Sequence, residues 1–161
     1  MWPLTIEIGP LGEKDRPALG LHMLALDADD RRSRFGLGLG DASVLAWVHH
    51  IRWQETQWTG AWGEPGLGLL GAVQLAPTGR AGHWELAMTV ARPLRRQGLG
   101  TALLASALRD GTAHSVRGLV CLHGHPSLHG MARRLGLDMH VQVNEPRVRL
   151  LVGASRFSSA T

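Results

Sequence analysis

Val90-Ala91-Arg92-Pro93-Leu94-Arg95-Arg96-Gln97-Gly98-Leu99-Gly100-Thr101-Ala102-Leu103-Leu104 joins three kinds of sequence. An apolar strand ends, a basic turn carrying glycine follows, and an amphipathic helix begins. Gly98 and Gly100 remove side chains where the backbone has to come close to a ligand. A helix start offers unpaired N–H groups and the positive end of the dipole, which together favour an anion. Arg95 and Arg96 add formal charge at the same place. The ligand class this predicts is a phosphate or pyrophosphate. A P-loop would need Gly-Lys-Ser/Thr after its glycines, and none follows. A dinucleotide fingerprint would need glycine or alanine where Leu103 stands, and an acidic ribose partner at the right distance. Neither is present. An ordinary basic strand-to-helix turn is the reading that glycines alone leave open.

The flanking pattern alternates strands and helices. Trp84, Leu86, Met88 and Val90 share one face of the preceding strand; Glu85, Ala87 and Thr89 share the other. The helix from Leu99 to Arg109 is expected to bury Leu103, Leu104, Ala107 and Leu108. Leu119 to Leu122 is a continuous apolar run, as in a buried central strand. Ser127 to Leu135 reads as a helix ended by Gly136. Val141–Val143 and Arg147–Val152 read as closing strands across Asn144-Glu145-Pro146, before a frayed tail. Upstream, Thr5–Ile8 alternates as a first strand, and Pro17 opens a helix carrying Leu19, Met23, Leu24 and Leu26. Asp27 to Phe35 continues as a capped helical turn with acids first and arginines last, as the dipole prefers. Asp41 is expected to cap a helix presenting Val44, Leu45, Val48 and Ile51. Thr56–Trp62 and Leu67–Ala76 read as a hairpin across Gly63-Glu64-Pro65-Gly66. No repeat or linker interrupts the order, so residues 1–161 are expected to form a single domain with its core over 4–152.

Composition narrows the class. The chain has 161 residues, 44% apolar and 19% charged, which are globular values. No apolar run approaches a membrane span, and the first residues lack a signal-peptide pattern, so a cytoplasmic location is expected. The single cysteine, Cys121, allows no internal disulfide and no Cys-rich zinc site. Residues 1–79 carry six basic and nine acidic side chains; residues 80–161 carry eleven and four. The basic side chains of the second half are scattered over several elements, so an anionic cofactor explains Arg95 and Arg96 with fewer assumptions than nucleic acid. Specific nucleic-acid binding is not expected, and the oligomeric state, monomer or homodimer, is left open.

The run Arg95-Arg96-Gln97-Gly98-Leu99-Gly100 directly after a strand resembles the acyl-CoA-binding R-x-x-G-x-G motif of the GNAT superfamily of N-acetyltransferases. The element order agrees with that family over about residues 4–152. The resemblance implies a mixed, mostly antiparallel α+β sheet flanked by helices. It implies acetyl-CoA as co-substrate and direct acetyl transfer to an amine in a ternary complex. Met88, Val90, Arg95, Arg96, Gln97, Gly98, Leu99, Gly100, Thr101 and His125 are the cofactor-binding positions it suggests. A narrower likeness is to bacterial protein lysine acetyltransferases and their stand-alone relatives. Leu26-Asp27-Ala28-Asp29-Asp30-Arg31-Arg32-Ser33-Arg34-Phe35 is similar to a segment near their start, and Trp84-Glu85-Leu86-Ala87-Met88-Thr89-Val90 is similar to their strand before the loop. A protein lysine is therefore favoured slightly over a small-molecule amine. The chain departs from the family in having no tyrosine. Ala132 stands where the thiolate-protonating tyrosine would align, and His125 stands where an asparagine is usual. The general acid is unassigned, and an acyl-CoA-binding module without turnover is the alternative.

Glu85, alone in an apolar strand, is where the resemblance places the general base; the bland reading is a solvated carboxylate or an arginine's partner. An alkylammonium of pKa about 10.4 lies about 3.4 units above neutral pH, so deprotonating it costs roughly 4.6 kcal/mol. A carboxylate at the amine site addresses that cost. His123, His125 and His129 have metal-like spacing, but they fall in two elements without a nearby cysteine or carboxylate, so no metal is expected. Cys121 in a buried strand is a poor acyl carrier. Trp47, Trp53, Trp58 and Trp62 are read as core or as the wall of a substrate groove.

Overall fold

The computed structural model describes residues 5–110, 116–122, 127–141 and 147–151. Its seven strands are β1 (Glu7–Leu11), β2 (Gln57–Trp62), β3 (Leu69–Pro77), β4 (His83–Val90), β5 (Gly118–Leu122), β6 (Asp138–Val141) and β7 (Arg147–Leu151). Its helices are α1 (Arg16–Leu24), α2 (Ala28–Phe35), α3 (Asp41–His49), α4 (Leu99–Arg109) and α5 (Ser127–Leu135). The strands form one sheet in the order β1-β2-β3-β4-β5-β7-β6. Every pairing is antiparallel except β4 with β5. This is the mixed, mostly antiparallel α+β sheet expected from the sequence.

The alternation of apolar side chains places a core on each face of the sheet. Val73, Leu75 and Leu86 pack with Leu99, Leu103, Leu104 and Leu108 of α4 and with Ala132 of α5. On the opposite face, Leu11, Trp58 and Ala72 meet Leu19 and Met23 of α1 and Val44 and Val48 of α3. The helix Leu99–Arg109 has the extent expected, and so has Ser127–Leu135, followed by Gly136 at φ +65°.

Several boundaries shift by one or two residues, and three differences have a local cause. The first strand runs Glu7–Leu11 rather than Thr5–Ile8 and passes through Pro10. Its place at the sheet edge allows this, because an edge strand has no second neighbour to need the missing N–H. Asp41 is the first residue of α3, not its cap; Gly40 takes the cap position, and the Asp41 carboxylate receives Arg31 (2.8 Å) instead. The last antiparallel pair is Asp138–Val141 with Arg147–Leu151, because Leu137 is already buried one residue after the helix turn and the chain enters the strand directly. β7 lies between β5 and β6.

Two polar devices hold the upper helices. Arg31 donates from Nε to the Leu26 carbonyl (3.0 Å), from Nη1 to Leu39 (2.9 Å), and from Nη2 to Leu24 (2.8 Å) and Asp41 (2.8 Å). One cation thus ties the end of α1, α2 and the start of α3, beside helix-terminal carbonyls that favour it. His22 of α1 is buried against the sheet, with Nδ1 3.1 Å from the Leu69 carbonyl and Nε2 2.7 Å from Thr89 Oγ1. A carbonyl can only accept, so Nδ1 carries the proton and Nε2 accepts from the Thr89 hydroxyl. Burial pushes the His22 pKa from 6.5 to about 4, partly opposed by the bond to Leu69 and reinforced by the Arg95 charge.

The folded protein therefore resists protonating His22 while the unfolded chain accepts the proton below its ordinary pKa. Stability from this site is complete above pH 6.5 and is lost as the pH falls from there towards about 4. Urea denaturation should show wild type losing about 2 kcal/mol from this group between about pH 7.5 and about pH 5. His22→Gln should lack that component of the slope. Parallel stability curves for the two proteins would show that His22 is not the source.

Candidate active site

Among the described residues, β4 pairs with β5 over its first half: His83 with Gly118, Trp84 with Leu119, Glu85 with Val120 and Leu86 with Cys121. β5 then continues against β7, while Ala87 to Val90 keep β3 as their ladder partner. The described part of β5 ends at Leu122, and all six residues from Glu85 to Val90 line one cavity of about 510 Å³. A strand inside an intact sheet shows a cavity alternate side chains only. Consecutive lining means that the edge of β4 is open as well as one of its faces.

One end of the cavity is lined by Arg95, Arg96 and Gly100. After β4 the chain makes a short 3-10 turn, Arg92–Leu94, then enters α4 with Gly98 as N-cap at φ +86°. The first bond of the α4 ladder runs from the Ala102 N–H to the Gly98 carbonyl (3.0 Å). Helix geometry therefore leaves the N–H groups of Leu99, Gly100 and Thr101 without intrahelical acceptors. Serine or aspartate at the cap would supply an acceptor of its own; glycine supplies none. A Cβ on Gly100 would lie 3.0 Å from Met131 Cε and 3.1 Å from Met88 Sδ, filling the space in front of the amides. Arg96, at φ +62°, is the one non-glycine residue in the left-handed region among those described. With Gly98 it bends the backbone into the concave turn that gathers N–H groups towards an anion.

Besides lining the cavity, Arg95 braces the loop. Its Nε donates to the Val90 carbonyl (2.9 Å), and its guanidinium holds Asp30 of α2 at 2.8–2.9 Å. The hydrogen bond from Arg95 holds the Asp30 carboxyl below the usual carboxylate range against the opposing effect of burial. Arg92 pairs with Asp27, whose other oxygen accepts from the Asp30 N–H at the start of α2. These contacts brace the loop against α2. The Arg95 charge is offset by Asp30, which leaves exposed Arg96, among the described residues, as the unpaired cation at this end of the cavity. Gln97 donates to the Pro93 carbonyl (3.0 Å). Leu99 is 1% exposed, so its side chain belongs to the core and only its backbone can serve the loop.

The other end is a chamber between the sheet and α2–α3. Glu85, Ala87 and Thr89 line it from β4; Arg34, Phe35 and Trp47 line it from above. The Glu85 carboxylate makes no hydrogen bond or ion pair with the described residues. Its charge is felt by two neighbours. It adds to the burial that pushes the Cys121 thiol up to about 12, and it opposes the burial that pulls Arg34 down to about 10. Cys121 is therefore a protonated thiol at neutral pH, which argues against an acyl carrier. The Thr89 hydroxyl is committed to His22. Of the four tryptophans weighed as a groove, Trp47 alone lines the cavity; Trp58 is buried and stacks on Trp47 and Trp53 behind it. Ala132 is 2% exposed in the core and brings no proton donor. His123 and His125 lie outside the described residues, and among the described residues no group suited to a metal occurs.

Asp30, Arg34 and Met131 escaped sequence reasoning as site residues. For the first two a signal existed: Asp27, Asp30 or Arg31, and Arg34 recur at helical spacing, so they share the face of α2 that meets the sheet.

Comparison with known proteins agrees with this geometry. Residues 29–137 match the model of the acetyltransferase (GNAT) family. No curated protein matches the chain by sequence. The fold is similar to that of the GNAT domain of S. lividans PAT, at 16% identity and TM-score 0.68, over 90% of this chain and 88% of that one. It is similar to a phosphinothricin acetyltransferase from Sinorhizobium meliloti in complex with AcCoA, at 14% identity and TM-score 0.66, over 97% and 100%. It is also similar to a GNAT family N-acetyltransferase from Escherichia coli in complex with CoA, at 19% identity and TM-score 0.65, over 100% and 89%. With an uncapped glycine helix start at one end of its cavity, a lone carboxylate at the other, and a family match over most of its length, the chain belongs to the GNAT family of N-acetyltransferases, whose co-substrate is acetyl-CoA.

Proposed function

We propose that this chain moves the acetyl group of acetyl-CoA to a primary amine by direct attack within a ternary complex. The observation that supports this best is the continuity of one cavity from the α4 amides to Glu85. The residues present fit the co-substrate. The Gly98–Thr101 amides suit a pyrophosphate, Arg96 adds charge, and the open edge of β4 at Met88 and Val90 suits an extended amide-bearing chain. Acetyl-CoA supplies a thioester carbonyl that an amine can attack.

The chain's own residues supply the rest. Glu85 accepts a proton from the incoming ammonium, directly or through one water, so that a nucleophilic amine meets the thioester. Thr89 is fixed by His22 and cannot compete for that proton, since its hydroxyl already donates to Nε2. Cys121 stays a thiol, which favours direct attack over a route through an acyl-cysteine. With no tyrosine in the chain and Ala132 buried, the general acid stays unassigned, and water can protonate the departing thiolate.

The resemblance of Leu26–Phe35 to protein lysine acetyltransferases is the support for a protein acceptor. Asp27, Asp30 and Arg31 of that segment are engaged in bracing the loop and helices, a task any acceptor would require. The reading of the acceptor therefore stays at the level of a primary amine.

Gly100→Asp puts bulk and negative charge in front of the amides and should abolish CoA binding in a calorimetric titration, while Arg96→Ala should weaken it less, because an exposed charge is screened. Unchanged CoA affinity in Gly100→Asp would remove the cofactor assignment. Glu85→Gln should keep CoA affinity and melting temperature, lower kcat roughly 10²–10⁴-fold, and erase the acidic limb of the kcat/KM profile. A variant with near-full activity and an unaltered profile would make Glu85 structural. A thiol-release assay across amines, lysine peptides and proteins finds the acceptor that these kinetics need, and turnover with any of them removes the binding-module alternative.

A further inference from the structure

Arg34 is a cation in the acceptor chamber that the proposed chemistry does not use. It projects from α2 towards the sheet, and its Nη2 donates to Gln74 Oε1 on β3 (2.7 Å). Its guanidinium carbon lies 4.8 Å from the Trp47 ring centre and 5.2 Å from that of Phe35. The two ring contacts and this hydrogen bond restrict the guanidinium. Five N–H donors are available, and one is used by the described residues. No carboxylate among the described residues forms an ion pair with it. Asp30, the other acid lining the cavity near α2, is occupied by Arg95.

A packing role alone does not explain this choice of residue. Arg34 lines the cavity, and burial draws its pKa to about 10 despite the Glu85 charge, so the group is poorly solvated yet still cationic at neutral pH. A half-buried cation whose nearest carboxylate, Glu85, acts on it only through space is costly, and a ligand that brings a directly bonded counter-ion recovers part of that cost on binding. The rigid planar fork matches a carboxylate through two parallel hydrogen bonds. Glu85 at the same chamber matches an ammonium group. Together they present one positive and one negative site, which is the charge pattern of a zwitterion.

We propose that Arg34 is the anchor for a carboxylate on the acceptor, and that the acceptor is a small amino-carboxylate compound rather than a lysine side chain of a protein. The inference rests on the acetyl-transfer reading above. Arg34 holds the carboxylate while Glu85 receives the proton of the amino group. A polyamine would set a second cation against Arg34, and a lysine side chain would leave it without an anion.

The test uses the full-length protein, acetyl-CoA, and the free α-amino acids, each compared with its own carboxamide, in a thiol-release assay. Lysine peptides and polyamines run beside them. At least one amino acid should turn over with kcat/KM roughly 10–100-fold above its carboxamide, the usual worth of a charge-assisted pair. Arg34→Gln should bring that ratio to about one, chiefly through KM for the acid, while KM for acetyl-CoA stays near wild type. Arg34→Lys should keep a partial preference, because the charge remains and the bidentate fork is lost. If Arg34→Gln does not fold, the acid-to-amide ratio of the wild-type protein decides alone. Carboxamides equal to or better than the acids, or turnover confined to lysine peptides or polyamines, would overturn the anchor and leave acetyl transfer standing. Absence of thiol release with every amine would overturn both.

Discussion

Beyond the Leu86–Cys121 pair, a strand in the middle of the sheet meets a cavity along its edge as well as one face. Backbone N–H and C=O groups in a protein interior need partners, so a gap of this kind persists only if something else supplies them. The cavity touches every residue from Glu85 to Val90. It joins the outgoing loop, the α4 helix start and Glu85 in one continuous space.

Holding that gap open requires a brace from outside the sheet, and α2 provides it. Asp27 and Asp30 take Arg92 and Arg95 on one side; Arg31 gathers the ends of α1 and α3 on the other; Arg34 reaches the sheet through Gln74. Apart from Phe35, which packs on Trp47 at the edge of the core, the helix brings no apolar side chain to the sheet, so charge and hydrogen bonds do much to fix its position. Exposed ion pairs contribute little individually. Here several converge on short loop segments with partly buried partners, and their effect is to set geometry more than stability. His22 adds a separate constraint by joining α1 to Leu69 and Thr89 beneath the chamber.

The elements whose periodicity is strong were legible from the sequence. α4 and α5 have the extents their apolar spacing and terminal glycine predict, and β4 differs by one residue. Gly98 and Gly100 were recognisable because only a missing side chain explains glycine at those places in a helix start. What escaped was long-range. Nothing local says that Arg95 will find Asp30 sixty-five residues earlier, so its bracing role is not readable from the sequence. Thr89 reads as a small residue leaving room, whereas its hydroxyl is held by a buried histidine on another element. The tryptophans divided between cavity and core by a packing arrangement that spacing alone does not encode.

The central claim is that one ligand runs along the open edge of β4 and ends on the amides of the α4 start. Amide hydrogen exchange of the full chain, with and without saturating CoA, tests it most directly, because those backbone groups are the proposed partners. The account predicts slowed exchange over residues 87–101, with β1 and β2 unchanged. Slowed exchange confined to other elements, with residues 87–101 exchanging as they do without CoA, would contradict it.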